Sequence, residues 1–220
     1  MGAFWVIAVL FLTAGSVGEG WAEDALGTRP LLTITRKDLS TILPPDYRIL
    51  IDPHSIEQFL DALDGTPPDW GLVYGHGHHD PDHDERLFTL NRERDARREG
   101  KEALQWTVVF LWSGELSRYE PTTDRFSIAI GPIFTPTRWG VVRFKAEDLP
   151  GNLFVIPDVG QRDILRRQVA TGQKVDIEIA MMGRLIPEES LVYDFSHDEE
   201  GLGLIMPVVR IERVEYLLVR

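Results

Sequence analysis

Residues 172–220 read GQKVDIEIAMMGRLIPEESLVYDFSHDEEGLGLIMPVVRIERVEYLLVR, and this stretch decides the fold class. From Lys174 to Met182 the chain alternates. Val175, Ile177, Ile179 and Met181 take one face; Lys174, Asp176, Glu178 and Ala180 take the other. Period two over that length predicts a half-buried strand. Gly183 follows, a residue that permits a bulge or a sharp bend. Ile186-Pro187-Glu188-Glu189 then ends the ladder, because proline has no N–H to give it. A second apolar run goes from Ile205 to Val219. Val209 and Ile211 share one parity in it, while Val214, Tyr216 and Leu218 share the other. A one-residue slip sends every side chain to the opposite face, so the change predicts a β-bulge near Glu212 and Arg213. Between the two runs, Tyr193 to Gly201 reads as an acidic, aromatic loop ending in glycine.

Upstream, Trp106 to Trp112 is apolar on both faces, with Trp106, Val108, Phe110 and Trp112 on one and Val109 and Leu111 on the other. Gly114 interrupts, and Leu116 to Tyr119 continues the strand. Pro121-Thr122-Thr123-Asp124 is a turn. Phe126, Ile128 and Ile130 alternate. Trp139 to Lys145 reads as a third strand, and Leu153 to Ile156 as a small one. Asp163 can cap a helix in which Ile164, Leu165 and Val169 share a face, ended by Gly172. The order after residue 105 is strand, strand, strand, helix, strand, strand. This resembles the OB-fold, the five-stranded Greek-key barrel that binds oligonucleotides and oligosaccharides, here in exported bacterial form. The resemblance rests on element order and glycine placement in Trp106–Tyr119, Asp163–Gly172 and Lys174–Arg220, the C-terminal half of the chain. The fold class expected is α+β, mainly β: a five-stranded OB-like barrel with one helix, preceded by a smaller α/β segment.

The N-terminal half is less regular. Leu31 to Ile34 predicts a brief strand, and the alternation of Tyr47, Ile49 and Ile51 another. Asp52-Pro53 opens a helix, since Asp caps and Pro suits the first helical position. Ile56, Phe59, Leu60 and Leu63 give it one apolar stripe, and Gly65 stops it. Glu85 to Lys101 is dense in charge, with Leu87, Phe88 and Leu90 as its large apolar residues. It starts helical, with capping-box spacing at Asp82 and Glu85, but offers little to pack. The run Arg92 to Glu99 reads as a solvated face with pairs such as Glu93–Arg97.

Residues 4–15 form an apolar block of twelve, short of the ~20 needed to span a bilayer. Gly20-Trp21-Ala22 before Glu23 fits a signal-peptidase site, although only the α-amino group is positive ahead of the block. The division expected is 1–22 signal peptide, 23–104 α/β segment with a His/Asp-rich loop, and 105–220 barrel domain. The protein is then periplasmic or secreted. An uncleaved segment would instead anchor it to a membrane. Net charge is −12, and residues 1–22 contribute one acid, Glu19, and no Lys or Arg. That balance disfavours nucleic acid, which needs a basic stripe, and anionic lipid headgroups. There is no cysteine, hence no disulfide, thiolate zinc site or thiol nucleophile.

Two clusters carry possible chemistry. His76, His78, His79 and His83 lie among Asp80, Asp82 and Asp84. Imidazole with carboxylate suits Zn²⁺, Ni²⁺ or Cu²⁺, and His76, His78, His79, Asp80 and His83 are the candidate ligands. The spacing is not a helical HExxH pair, and no Glu is poised as a general base. A solvated acidic loop accounts for the same residues. The second cluster is Tyr193, Asp194, Phe195, His197, Asp198 and Glu199. Tyr193 and Phe195 can stack on a planar or sugar ring, and the acids can accept from hydroxyls or ammonium groups. Aromatics that close the barrel end account equally for the rings. His197 beside a carboxylate is the smallest acid–base pair, but no activated serine accompanies it. Trp106, Trp112 and Trp139 read as core. The function expected is recognition of a protein, peptide or glycan by a non-enzymatic binding or assembly protein; the alternative is a metal-binding protein.

Overall fold

The computed structural model describes residues 27–34, 38–76, 80–196 and 202–218; the expected signal segment lies outside them. The strands are β1 (Thr28–Leu32), β2 (Arg48–Ile49), β3 (Thr107–Glu120), β4 (Arg125–Pro132), β5 (Thr135–Thr137), β6 (Gly140–Val142), β7 (Lys145–Glu147), β8 (Phe154–Ile156), β9 (Asp176–Leu185), β10 (Leu191–Phe195) and β11 (Gly203–Leu218). The helices are α1 (Leu39–Ile42), α2 (Pro53–Asp64), α3 (Trp70–Tyr74), α4 (His83–Arg98) and α5 (Val159–Ala170). The fold is α+β and mainly β, built on a closed barrel. Six strands close it in the order β1-β8-β4-β3-β9-β11, with β11 returning to β1.

The barrel therefore has six staves, not the five expected. The extra one is β1. It pairs in parallel with β8 through Thr28, Arg29 and Pro30, then with β11 through Leu31 and Leu32. Five residues bridge two neighbours by stagger, which leaves no long alternating pattern to read. The third stave is also displaced. The Trp139–Lys145 stretch divides into part of a β5–β6 hairpin and the start of β7, both laid against β11, and the stave paired with β4 is the short β8.

The long strand β11 holds these parts together. Its first residues carry β10 on one side and β6 on the other; its later residues run between β9 and β1 inside the barrel. The expected bulge is present, as a register shift between Ile211 and Arg213. Because Glu212 is the extra residue, Val209 and Ile211 before it and Val214 and Tyr216 after it all reach the same core. Gly183 lies opposite. A Cβ there would strike the Arg210 carbonyl, so glycine lets β9 pass the bulge and continue to Leu185.

The two apolar faces of β3 also have a cause. Val108 and Phe110 enter the main core with Ile177, Ile179 and Met181. Val109 and Leu111 lie on the other side with Ala180, Met182 and Leu217, beneath Leu39 and Leu43. The 38–51 segment thus covers the outside of the barrel where β3 meets β9. Trp139 is buried, and Trp106 and Trp112 pack against the main core, as the sequence indicates.

Helix α2 matches its reading closely. Asp52 accepts from the Ser55 N–H and the Ser55 hydroxyl lies 3.3 Å from the Asp52 N–H, a reciprocal cap of the kind worth about 1 kcal/mol. Helix α5 starts earlier than expected. Asp158, following Pro157, caps it through the Gly160 N–H, which leaves Asp163 inside the helix. Helix α4 departs most. It is a continuous helix of 16 residues, and Arg94 and Arg98, within the run read as a solvated face, are buried. Glu93–Arg97 does form, at 3.4 Å on the exposed side. Among the described residues no helix is long and apolar enough to cross a membrane.

Candidate functional site

Tyr193, Asp194 and Phe195 lie in a strand rather than a loop. The sequence Leu-Val-Tyr-Asp-Phe alternates, and Leu191, Tyr193 and Phe195 are the buried set. The Tyr193 hydroxyl donates to Asp64, whose two carboxylate oxygens also accept from Arg98 Nε at 2.6 Å and Nη2 at 2.9 Å. Burial first, and then the Asp64 charge, push the Tyr193 phenol far above its ordinary value. Burial alone would lower the pKa of Arg98; its bonds and charge interaction with Asp64 outweigh that, and it ends raised. Arg94 Nη1 donates to the Thr66 carbonyl at 2.6 Å.

The outer edge of β10 would be an open row of backbone groups. Asn91 closes it: its Oδ1 accepts from the Tyr193 N–H at 2.8 Å and its Nδ2 donates to the Tyr193 carbonyl at 2.9 Å. Arg98 Nη1 donates to the Leu191 carbonyl at 3.1 Å. One face of α4 thus acts as a substitute strand. Phe195 packs edge-on against Tyr74 and beside His83, each ring centre 5.0 Å away. Asp194 accepts from the Phe195 N–H at 2.8 Å. Both rings expected to meet a ligand are thereby engaged in packing. His197, Asp198 and Glu199 lie outside the described residues. Asp64, Asn91, Arg94 and Arg98 escaped the sequence reading. The trace they leave is spacing: Leu87, Asn91, Arg94 and Arg98 recur at helical intervals, as a core-facing stripe does.

Asp80 ties together His76, Asp82 and Arg86. Its carboxylate takes Arg86 Nη2 at 2.7 Å, the His76 N–H at 3.2 Å and the Asp82 N–H at 3.0 Å. The Arg86 bond first, then the two backbone N–H groups, hold Asp80 well below the usual carboxylate range. His83 Nδ1 lies 2.8 Å from the Asp80 carbonyl, so that nitrogen carries the proton, and Nε2 is 3.3 Å from Asp84. His76 is exposed; His78 and His79 lie outside the described residues. Among the described residues no group of three or more His, Asp or Glu is arranged to hold a metal ion.

The open surface is at the other end of the barrel, under α5. Leu165 inserts into the main core and Val169 packs on it, so the helix plugs that end. Gln161 is tied to Thr33 at 3.0 Å. Gln161, Ile164, Leu165 and Gln168, at i, i+3, i+4 and i+7, form one wall of a groove of about 470 Å³. Val175 and Leu218 supply the opposite wall, and Lys174 and Asp176, paired at 2.9 Å, stand at the rim. Ile164 is 51% exposed, although apolar. On the outer side, Asp163, Arg166, Arg167 and Ala170 line a shallow basin. The Arg166 guanidinium lies 5.1 Å over the Tyr119 ring, and Arg167 Nε donates to the Asp163 carbonyl at 3.1 Å. Among the described residues no histidine, serine, threonine or aromatic residue lines the groove, which offers apolar contact, amides and one Lys–Asp ion pair. Compared with family models, with curated proteins and with solved structures, the chain matches none of them.

Proposed function

We propose that this chain is an exported, non-enzymatic binding or assembly protein that holds a protein, peptide or glycan partner at the α5 end of an OB-like barrel. The observation that carries the reading is the groove between α5, the start of β9 and the end of β11. Its volume of about 470 Å³ lies within the ~300–1,000 Å³ of ordinary ligand clefts. Aliphatic walls with amide and charged rims are a recognition chemistry. The placing of α5 between the third stave after residue 105 and β9 supports the OB comparison, since the element order is the one that fold uses. The barrel stiffens one wall of the groove, since β9 and β11 carry the core beneath it.

The test is a panel of immobilised peptides and neutral oligosaccharides, probed with the wild-type protein and with Ile164→Asp. The half-exposed Ile164 tolerates a charge without loss of the fold, which a thermal melt checks. The expected result is a subset of ligands retained by the wild type and released by the variant. Ligands retained equally by both would place recognition elsewhere on the surface and refute this reading.

A further inference from the structure

Resting on the groove as the binding site, we infer that its partner is an acidic polypeptide segment carrying one apolar anchor residue. The chain has a net charge of −12, yet the basin on the outer face of α5 holds two arginines to one acid, Asp163. Several arginines elsewhere meet carboxylates, Arg86 with Asp80 at 2.7 Å, Arg125 with Glu120 at 3.0 Å and Arg210 with Asp148 at 3.0 Å, while Arg48, Arg92 and Arg143 lie over aromatic rings. On α5 itself Arg162 is taken by Asp124 at 2.7 Å. Arg166 and Arg167 have no such partner among the described residues; one lies over a tyrosine ring and the other reaches a backbone carbonyl. Their guanidinium forks match carboxylates in geometry as well as in charge.

Ile164 sits between Arg167 and the groove; Arg166, at i+2, lies farther round the helix over the Tyr119 ring. The neighbours of Ile164 on the helix are Arg167 at i+3 and Gln168 at i+4. A segment crossing α5 therefore meets an apolar cleft on one side and two cations on the other. Gln161 adds a specific contact: Nε2 is fixed by Thr33, while Oε1 has no hydrogen-bond partner among the described residues. That oxygen is buried, so a peptide N–H reaches it once the Gln161 side chain turns outward. Among the described residues the groove lining has no aromatic side chain, which counts against a glycan or a single-stranded nucleic acid, both of which stack on rings. The protein's overall acidity repels a long polyanion but leaves local attraction to a short acidic segment at Arg166 and Arg167.

The experiment uses three labelled synthetic peptides: acidic with a central leucine, the same with Lys replacing each acid, and acidic with alanine in place of leucine. Anisotropy is read on the full protein at low and high salt, with a heparin-derived oligosaccharide as a further competitor. The leucine-anchored acidic peptide is expected to bind about ten-fold or more tightly than either control and to weaken in high salt. Reversal of both cations, Arg166→Glu with Arg167→Glu, is expected to cost about ten-fold and to transfer preference to the Lys peptide. If neutral or basic peptides bind equally and Ile164→Asp abolishes that binding, the groove is a site and the acidic partner is wrong. If the oligosaccharide displaces the peptide and Ile164→Asp changes nothing, the arginines are a polyanion patch and the inference fails. If no ligand class binds, both the inference and the groove reading fail.

Discussion

Asp64 should be among the costliest residues in this protein to change. Its side chain is fully shielded and accepts two bonds from Arg98, 2.6 and 2.9 Å long, and one from Tyr193. Arg98 is itself 1% exposed, held otherwise by the Leu191 carbonyl at 3.1 Å and Asp95 at 2.7 Å. Asp64→Leu removes the carboxylate and leaves the guanidinium buried with its main counter-charge gone, a loss of about 3–5 kcal/mol. At about 2–4 °C per kcal/mol for a chain of this size, the midpoint falls by roughly 6–20 °C. Arg98→Met should cost a similar amount for the converse reason. The double change removes the Arg98 charge together with its partner and should cost less than the sum of the single changes, although Arg94, 3.9 Å from Asp64, and the Tyr193 hydroxyl still lose the carboxylate. Urea unfolding followed by circular dichroism gives all the required values. A single change costing under about 1 kcal/mol would show that the pair is hydrated. A double change equal to the sum of the singles would show that the two residues do not act together.

Asn91→Leu should leave the Tyr193 N–H and carbonyl unpaired, at about 1–3 kcal/mol for each group, and amide exchange at Tyr193 should accelerate before that of β9; unchanged exchange would show that another group covers the edge. Because the Asp80 pKa is depressed, its contribution to the 76–86 turn is fully present above the unfolded value of about 3.9 and is lost as pH falls through the lower folded value. Carbon NMR should thus find Asp80 still ionised at about pH 4, and a midpoint near 3.9 would refute the Arg86 bond. Zn²⁺, Ni²⁺ or Cu²⁺ recruiting Asp80 would compete with that bond, so calorimetry should find weak binding. Submicromolar stoichiometric binding abolished by changing His78, His79 and His83 to Ala would instead establish a metal site.

The parts that were legible are those where periodicity is set by apolar burial. The parity change across Glu212 gave the bulge, and the apolar stripe from Ile56 to Leu63 gave α2, because in both the core side of the element is marked by residue type. Both faces of β3 read as apolar because both are covered, one by the barrel interior and one by α1 and the segment after it. What failed is equally specific. Arg94 and Arg98 read as solvent-facing because their counter-charge, Asp64, is thirty-four positions from Arg98 and periodicity carries no long-range pairing. Tyr193 and Phe195 read as part of a loop because Asp194 and the acids after it disguised a five-residue strand. The α5 groove was invisible because it is made by the meeting of a helix and two strand ends, none of which looks unusual alone.

The two ends of the barrel differ in how they are held, and that difference bears on where a partner can enter. At the end bearing α2 and α4, Arg98 and Arg94 tie α4 to Asp64 and Thr66, and Asn91 ties it to β10, by buried or part-buried bonds. Trp70 adds a second lock there: its Nε1 donates to the Trp139 carbonyl at 2.6 Å, and its ring occupies the space that a Cβ on Gly203 would need. Opening that end would strand several buried polar groups at once, each costing about 1–3 kcal/mol. Helix α5 inserts a single buried side chain, Leu165, and Gln161 ties it to Thr33, just after β1. An element with so few buried contacts opens at lower free energy than the rest of the fold. The cleft, the unpaired arginines and the half-exposed Ile164 all lie on that element, so the end that is cheapest to adjust is also the one whose surface is left unsatisfied.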